Sequence, residues 1–237
     1  MTYMTWTSVT IFLILIWANA PVALGGDVLG KITITKRLTP KRVLLAAYER
    51  RGAVLPPVSA AGSKDGGASA SESEMDRVVV YLEGPKDRAQ PERVVLNQKG
   101  KRFDREIVAV PLGSTVSFPN LDPIFHNVFS LSRIKAFDLG YYGEGKSREV
   151  TFEKPGVVTV YCHLHPNMSA AIVVTPNAWT ARPDSGGEFH LRGVPAGSWK
   201  VVVWHKSAGH FRSTVDVTGA GTAGVAFEIP VQEGATR

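Results

Sequence analysis

The chain carries many short apolar runs and no sustained helical period. Runs rich in Val, Ile, Phe and Tyr recur at Val78 to Leu82, Val94 to Leu96, Ile107 to Val110, Thr115 to Phe118, His126 to Leu131, Glu149 to Phe152, Val157 to Tyr161 and Ala170 to Val174, with Gly, Pro, Asn and Asp between them. Short β-branched and aromatic segments punctuated by turn formers predict strands, and this number of them predicts an all-β protein built as a sandwich. Upstream, Gly30 to Tyr48 alternates weakly and is rich in Ile, Val and Thr, as in Lys31, Ile32, Thr33, Ile34, Thr35, which reads as further strands.

From Ser59 to Asp76 the pattern collapses into Gly, Ala, Ser and acidic residues with almost nothing to bury, the mark of a flexible inserted loop. After Pro176 a second strand-rich block begins. Gly186 and Gly187 form a turn, Phe189 and Leu191 alternate, and Val194, Pro195, Ala196, Gly197 make a corner before Trp199 to Trp204. This block resembles the carboxypeptidase-regulatory or transthyretin-like β-modules, and the resemblance implies a structural role. Trp199 and Trp204 are read as core or interface aromatics. The expected organisation is a leader at 1–25, a larger β domain at 26–176 with its insertion at 59–76, and a smaller β-module at 177–237.

The leader contains an apolar run from Val9 to Ala18, then small residues and Pro21, and the first charged residue is Asp27. That is the outline of a secretory signal peptide without its basic start, with cleavage expected near residues 23–25 because Pro21 hinders a cut after Ala20. The alternative is an uncleaved membrane anchor, although the run is shorter than the ~20 residues of a span. A periplasmic or otherwise exported location follows. Cys162 is the only cysteine in a disulfide-permissive setting, so it is a buried apolar group, half of an intermolecular bridge, or a metal ligand.

The formal charge of +6 is not spread evenly. Between Lys31 and Arg51 stand seven basic residues and one acidic residue, which accounts for the whole excess. The stretch is read as a solvated strand face, with a docking patch for an acidic partner or anionic lipid as the alternative. No nucleic-acid reading motif is present, and nucleic acid is not an expected partner. Nor is there a set of nucleophile, base and orienter, or a Gly-rich phosphate loop, so no enzyme activity and no catalytic residue is expected.

The chemistry is concentrated in Tyr161, Cys162, His163, Leu164, His165, Pro166, Asn167, Met168, directly after a strand. Thiolate, imidazole and thioether within seven residues select copper over hard cations, since carboxylates are absent and thioether suits zinc poorly. A second imidazole is available from His126, which begins another strand-like segment that a sandwich can lay beside the first. His126, Cys162 and His165 in a plane with a weak axial Met168 is the ligand set of a blue-copper site. The bland alternative is a buried free thiol among satisfied histidines. His163, next to Cys162 on an extended chain, points to the other side. It is read as a surface or inter-strand histidine, with a second copper at a subunit interface as the alternative. His190, His205 and His210 lack ligand spacing.

From about Val78 to Val174 the chain resembles the cupredoxins, and among them the amicyanin and plastocyanin branch. The matching features are Phe118, Pro119, Asn120 ahead of His126, Asn127, Val128, then Phe152, Lys154, Pro155, Gly156, and the short Cys162, His165, Met168 loop with two residues in each gap. The resemblance implies a Greek-key β-sandwich and one type 1 copper ion held by His126, Cys162, His165 and Met168. It further implies that Asn127 ties the two ligand segments together by hydrogen bonding and that Pro166 stiffens the loop beside His165, the electron exit. The function implied is single-electron transfer between exported redox proteins, such as c-type cytochromes or a dehydrogenase. Copper storage or delivery is the alternative, followed by a subunit of a multicopper oxidoreductase.

Overall fold

A computed structural model describes residues 25–35, 74–84, 89–219 and 221–229. The apolar leader, the strands expected at 36–48, most of the basic stretch and residues 59–73 of the expected insertion lie outside the described residues. Seventeen strands follow one another among those described: β1 (Gly26–Ile34), β2 (Val78–Glu83), β3 (Arg93–Val95), β4 (Gln98–Lys99), β5 (Arg102–Phe103), β6 (Ile107–Pro111), β7 (Thr115–Pro119), β8 (His126–Ser132), β9 (Lys135–Tyr142), β10 (Ser147–Thr151), β11 (Gly156–Tyr161), β12 (Ser169–Thr175), β13 (Thr180–Ala181), β14 (Glu188–Val194), β15 (Gly197–His205), β16 (Gly209–Val217) and β17 (Thr222–Ile229). The only helix among the described residues is a single 3-10 turn at Glu74–Arg77. The protein is all-β, as its pattern predicts.

Period-2 alternation explains how the strands stack into layers. Val158 and Val160 of β11, Ala170, Ile172 and Val174 of β12, Val128 of β8 and Val108 and Val110 of β6 all point into one core, where they meet Val116 and Phe118 of β7 and Val150 of β10. The five-stranded sheet β6-β12-β11-β8-β9 thus faces the sheet β10-β7-β3, forming a first sandwich. A second sandwich sets β13-β2-β15-β16 over β14-β1-β17, with Val78, Val80, Leu82, Val201 and Val203 buried against Val28, Ile32, Phe189 and Leu191.

The residues of opposite phase join the two. Val79 and Tyr81 of β2 and Val202 and Trp204 of β15 pack on Ile107 of β6 and Ala171 and Val173 of β12. Strands β2, β12 and β15 are therefore covered on both faces, which is why they read as unbroken apolar runs where strands with one wet face would alternate.

This pairing departs from the expected domain boundaries at 26–176 and 177–237. Strand β1 pairs in parallel with β17 and antiparallel with β14, and β2 pairs with β13 and β15. Both early strands belong to sheets otherwise built from residues after 176, with Val28 and Ile32 of β1 and Val78, Val80 and Leu82 of β2 buried in that core. Strand β9 was not expected either. It is an edge strand whose pattern is broken by Gly140 at φ 65° and by a register shift opposite Asn127 and Phe129, so its alternation is weak.

Candidate metal centre

The inward phase of three strands runs on past their ends. Cys162 continues Val158 and Val160, Met168 precedes Ala170 and Ile172 in the same phase, and His126 precedes Val128, so all three side chains are carried to the same end of the first core. Tyr161 pairs across to Phe129 and to Ser169, which places β11 between β8 and β12 and brings the two distant ligand segments side by side.

There the ligand atoms of His126, Cys162 and His165 lie within 4.8 Å of one another. Cys162 Sγ stands 3.8 Å from His126 Nδ1 and 3.6 Å from His165 Nδ1. The two imidazole rings meet at 4.8 Å between centroids and 60° between planes. Cys162 and His126 are fully buried, and His165 is half-buried. A thiol and two imidazoles facing one another through Sγ and Nδ1 form a soft, compact donor set suited to a transition-metal ion.

The loop from Cys162 to Met168 is closed by its own backbone. Cys162 N donates to Met168 O at 3.2 Å and Met168 N donates to His165 O at 2.9 Å. Met168 is fully buried in the same core cluster as Cys162, while Leu164, Pro166 and Asn167 face solvent. Asn127, also buried, links the two ligand segments: its Oδ1 accepts from His163 N at 2.7 Å, and its Nδ2 donates to Asp138 Oδ1 at 3.1 Å.

His163 lies apart from this group. Its ring packs on Phe129 at 4.0 Å between centroids, and Nδ1 is 3.4 Å from Tyr141 Oη. Phe129 and Tyr161 form their own cluster on the far face of the sheet, where the alternation after Cys162 sends the next side chain. His190 pairs with Asp27, and His205 is buried beside Glu74, both in the second sandwich.

Asp122 is the one group at the centre that the sequence did not signal. Its Oδ2 is 2.8 Å from His126 Nε2, the ring nitrogen turned away from Cys162. Burial opposes the charge of Asp122, but the Lys101 amide, the His126 ring and the Gly100 amide outweigh it and hold the carboxyl below its usual range. The only trace in the sequence is an acid four positions before a histidine. Their meeting depends on the course of the loop, which buried Asn120 sets by donating to Ile124 O and Tyr142 O and accepting from Asp122 N. The pKa of His165 is lowered, first by burial and then by His126 and Lys101, so the ring stays neutral and able to bind a metal to more acidic pH than usual.

The loop into His126 exposes Leu121, Ile124 and Phe125, the last by 62%, and Leu164 stands exposed between Cys162 and His165. The two loops that carry the candidate ligands therefore also carry large apolar side chains in solvent.

No family model matches the chain, and no curated protein matches it. Among solved structures, a reduced Cu(I) form of an amicyanin variant at pH 4 is similar at 19% identity over 40% of this chain and 97% of that one, with a TM-score of 0.33. An oxidised amicyanin variant is similar at 19% identity over 40% of this chain and 97% of its own, with a TM-score of 0.34. A purple cupredoxin from Nitrosopumilus maritimus is similar at 23% identity over 35% of this chain and 99% of its own, with a TM-score of 0.31.

Proposed function

We propose that this protein binds one copper ion through His126, Cys162, His165 and Met168 and carries single electrons between exported redox partners. The observation that carries the reading is the convergence of one thiol and two imidazoles within 4.8 Å at the buried end of a sandwich. The residues fit the metal: the donors are soft or borderline, and no carboxylate oxygen belongs to the group of ligand atoms. When bound, copper supplies a one-electron Cu(II)/Cu(I) couple.

The chain's own part is to hold the donors still. Cys162 and His126 stand on strand ends with core behind them, and the backbone bonds of the 162–168 loop fix His165 and Met168 relative to Cys162. A site that moves little between oxidation states suits electron transfer better than substrate turnover. The half-exposed His165 and the apolar Leu121, Ile124, Phe125 and Leu164 support an electron exit on that side, where a partner of similar character docks. The apolar run at Val9 to Ala18 supports export.

The test is the visible spectrum of purified protein loaded with Cu(II). An intense thiolate-to-copper absorption is expected, and Cys162→Ser should abolish it. A colourless wild type that takes up only Zn(II) would refute the reading.

A further inference from the structure

We infer that the joint between the two sandwiches holds a second binding site, a cavity that takes a small organic carboxylate with a flat apolar body. The site arises where the apolar layer of the joint runs out. In the sheet β13-β2-β15-β16, Tyr81, Val202 and Arg212 stand in one cross-strand row, and Val79, Trp204 and His210 stand in the next. Directly paired residues project from the same face, so Arg212 and His210 look toward the first sandwich as Tyr81, Val202 and Trp204 do. Glu83, two residues beyond Tyr81 on β2, shares that face. The face that is apolar over β2 and β15 thus turns polar at Glu83 and along the edge strand β16.

A cavity of about 370 Å³ opens there, within the range of small-molecule sites. Tyr81, Glu83, His210 and Arg212 form one wall. The facing wall comes from the first sandwich: Pro155 and Gly156 where β11 starts, and Val174 and Pro176 where β12 ends. The six residues of β11 separate this wall from Cys162, about 20 Å of extended chain. The cavity is therefore distinct from the candidate metal centre.

The polar wall is rich in donors. Tyr81 is only 8% exposed, and its hydroxyl makes no hydrogen bond among the described residues, although it senses Glu83 and Arg212 of the same wall. So enclosed a hydroxyl calls for a partner. Burial raises its pKa, so it stays protonated and able to donate. Arg212 Nε donates to Glu83 Oε1 at 2.8 Å, which offsets the carboxylate and leaves both terminal nitrogens without a partner among the described residues. Desolvation, then Arg212, lowers the pKa of His210, so its ring adds no charge at neutral pH. Guanidinium N–H groups and a phenol O–H ask for an acceptor, and the two oxygens of a carboxylate match the planar fork. A cation would face the guanidinium. Pro155 and Pro176 present flat apolar rings and carry no backbone N–H. That wall favours an apolar body on the ligand over a bare inorganic anion.

Benzoate is the probe, titrated into the full chain and followed by amide proton–nitrogen spectra. It should bind saturably, shift the amides of Gly156 and Val174, and raise the melting temperature by bridging walls that part on unfolding. Benzamide, which lacks the charge, and acetate, which lacks the ring, should each bind about tenfold more weakly or worse. Tyr81→Phe removes one hydroxyl and should weaken benzoate about 2- to 10-fold. Arg212→Gln should weaken it about 10- to 100-fold. The inference is overturned by the absence of saturable binding, by benzamide or acetate binding as tightly as benzoate, or by amide shifts confined to other regions. Unchanged benzoate affinity in folded Tyr81→Phe and Arg212→Gln overturns it as well. If Arg212→Gln does not fold, Tyr81→Phe and the shift map still decide. Whether the protein binds copper does not enter the result.

Discussion

At the scale of single residues, burial decides what a ligand substitution costs. Met168 is fully buried in the core, so replacing it is felt in the packing as well as at the proposed copper site. Met168→Leu conserves volume and should cost less than about 1.5 kcal/mol of stability. Met168→Gln buries an amide and should cost about 1–3 kcal/mol. On copper the two should diverge: the harder oxygen of Gln favours Cu(II) and lowers the reduction potential, while Leu removes the donor and raises it. Potentiometric titration of the three proteins tests this, and identical potentials would exclude Met168 as a ligand. The neighbouring histidines offer a second contrast. His163→Ala should leave the copper spectrum nearly intact and cost about 0.5–1.5 kcal/mol through the lost packing on Phe129. His165→Ala should abolish or transform the spectrum. Equal spectral damage from both would mean that His163 belongs to the centre.

At the scale of elements, the turns set registers that the strands then keep. Gly187, just before β14, has φ 83°, and a Cβ there would stand 2.1 Å from Ile32 O, the backbone of the strand that β14 pairs with. Gly187 O also accepts from Ile32 N at 2.8 Å, so the turn and β1 approach backbone to backbone. Gly187→Ala should therefore destabilise the protein by about 1–3 kcal/mol, read from the denaturant midpoint, without altering the copper spectrum. A midpoint equal to wild type would show that this close approach relaxes freely. The Gly186, Gly187 turn is readable from the sequence because glycine is the residue such a backbone needs. Strand β9 is not, because an edge strand with a left-handed glycine has no face that must be consistently apolar.

At the scale of the whole molecule, the apolar layer that joins the sandwiches is flanked by a partly buried polar corner. His205 is fully buried at the end of β15, and its Nδ1 accepts from Ser207 N at 3.1 Å and Ala208 N at 3.2 Å. Its Nε2 lies 3.2 Å from Glu74 Oε2, at the 3-10 turn that leads into β2. Alongside, Lys206 Nζ meets Glu106 Oε2 of the first sandwich at 2.6 Å. Burial lowers the pKa of His205 below its ordinary 6.5 despite Glu74. The unfolded chain therefore takes a proton at higher pH than the folded one, so this contribution is complete above 6.5 and is lost as pH falls below it. The melting temperature should fall from pH 7 to pH 5, and less steeply in His205→Gln. His210 and His165, lowered chiefly by burial, keep part of the slope in the variant. Equal slopes in both proteins would show that His205 is not the sensor. Glu106 acts lower: burial raises its pKa, but Lys206 and Arg77 outweigh that, so its contribution is lost only below its ordinary 4.5.

The sequence by itself determined the strand character and the local half of the centre. Period-2 runs ending in turn formers can hardly be anything but strands, and Cys162, His165 and Met168 are close along the chain, so any fold that buries Val158 and Val160 carries them together. Only tertiary structure decided which strands share a sheet. Strands β1 and β2 match either core by pattern, and a phase of two says which face is apolar but not which partner covers it. Only tertiary structure brought in Asp122, because the contact of a loop carboxylate with a buried ring nitrogen depends on backbone bonds from Asn120 and the 100–101 turn that no spacing encodes. Local chemistry is written in adjacent residues. Long-range pairing and the support behind each ligand arise from the sum of many weak preferences, which resolve only when the whole chain is packed.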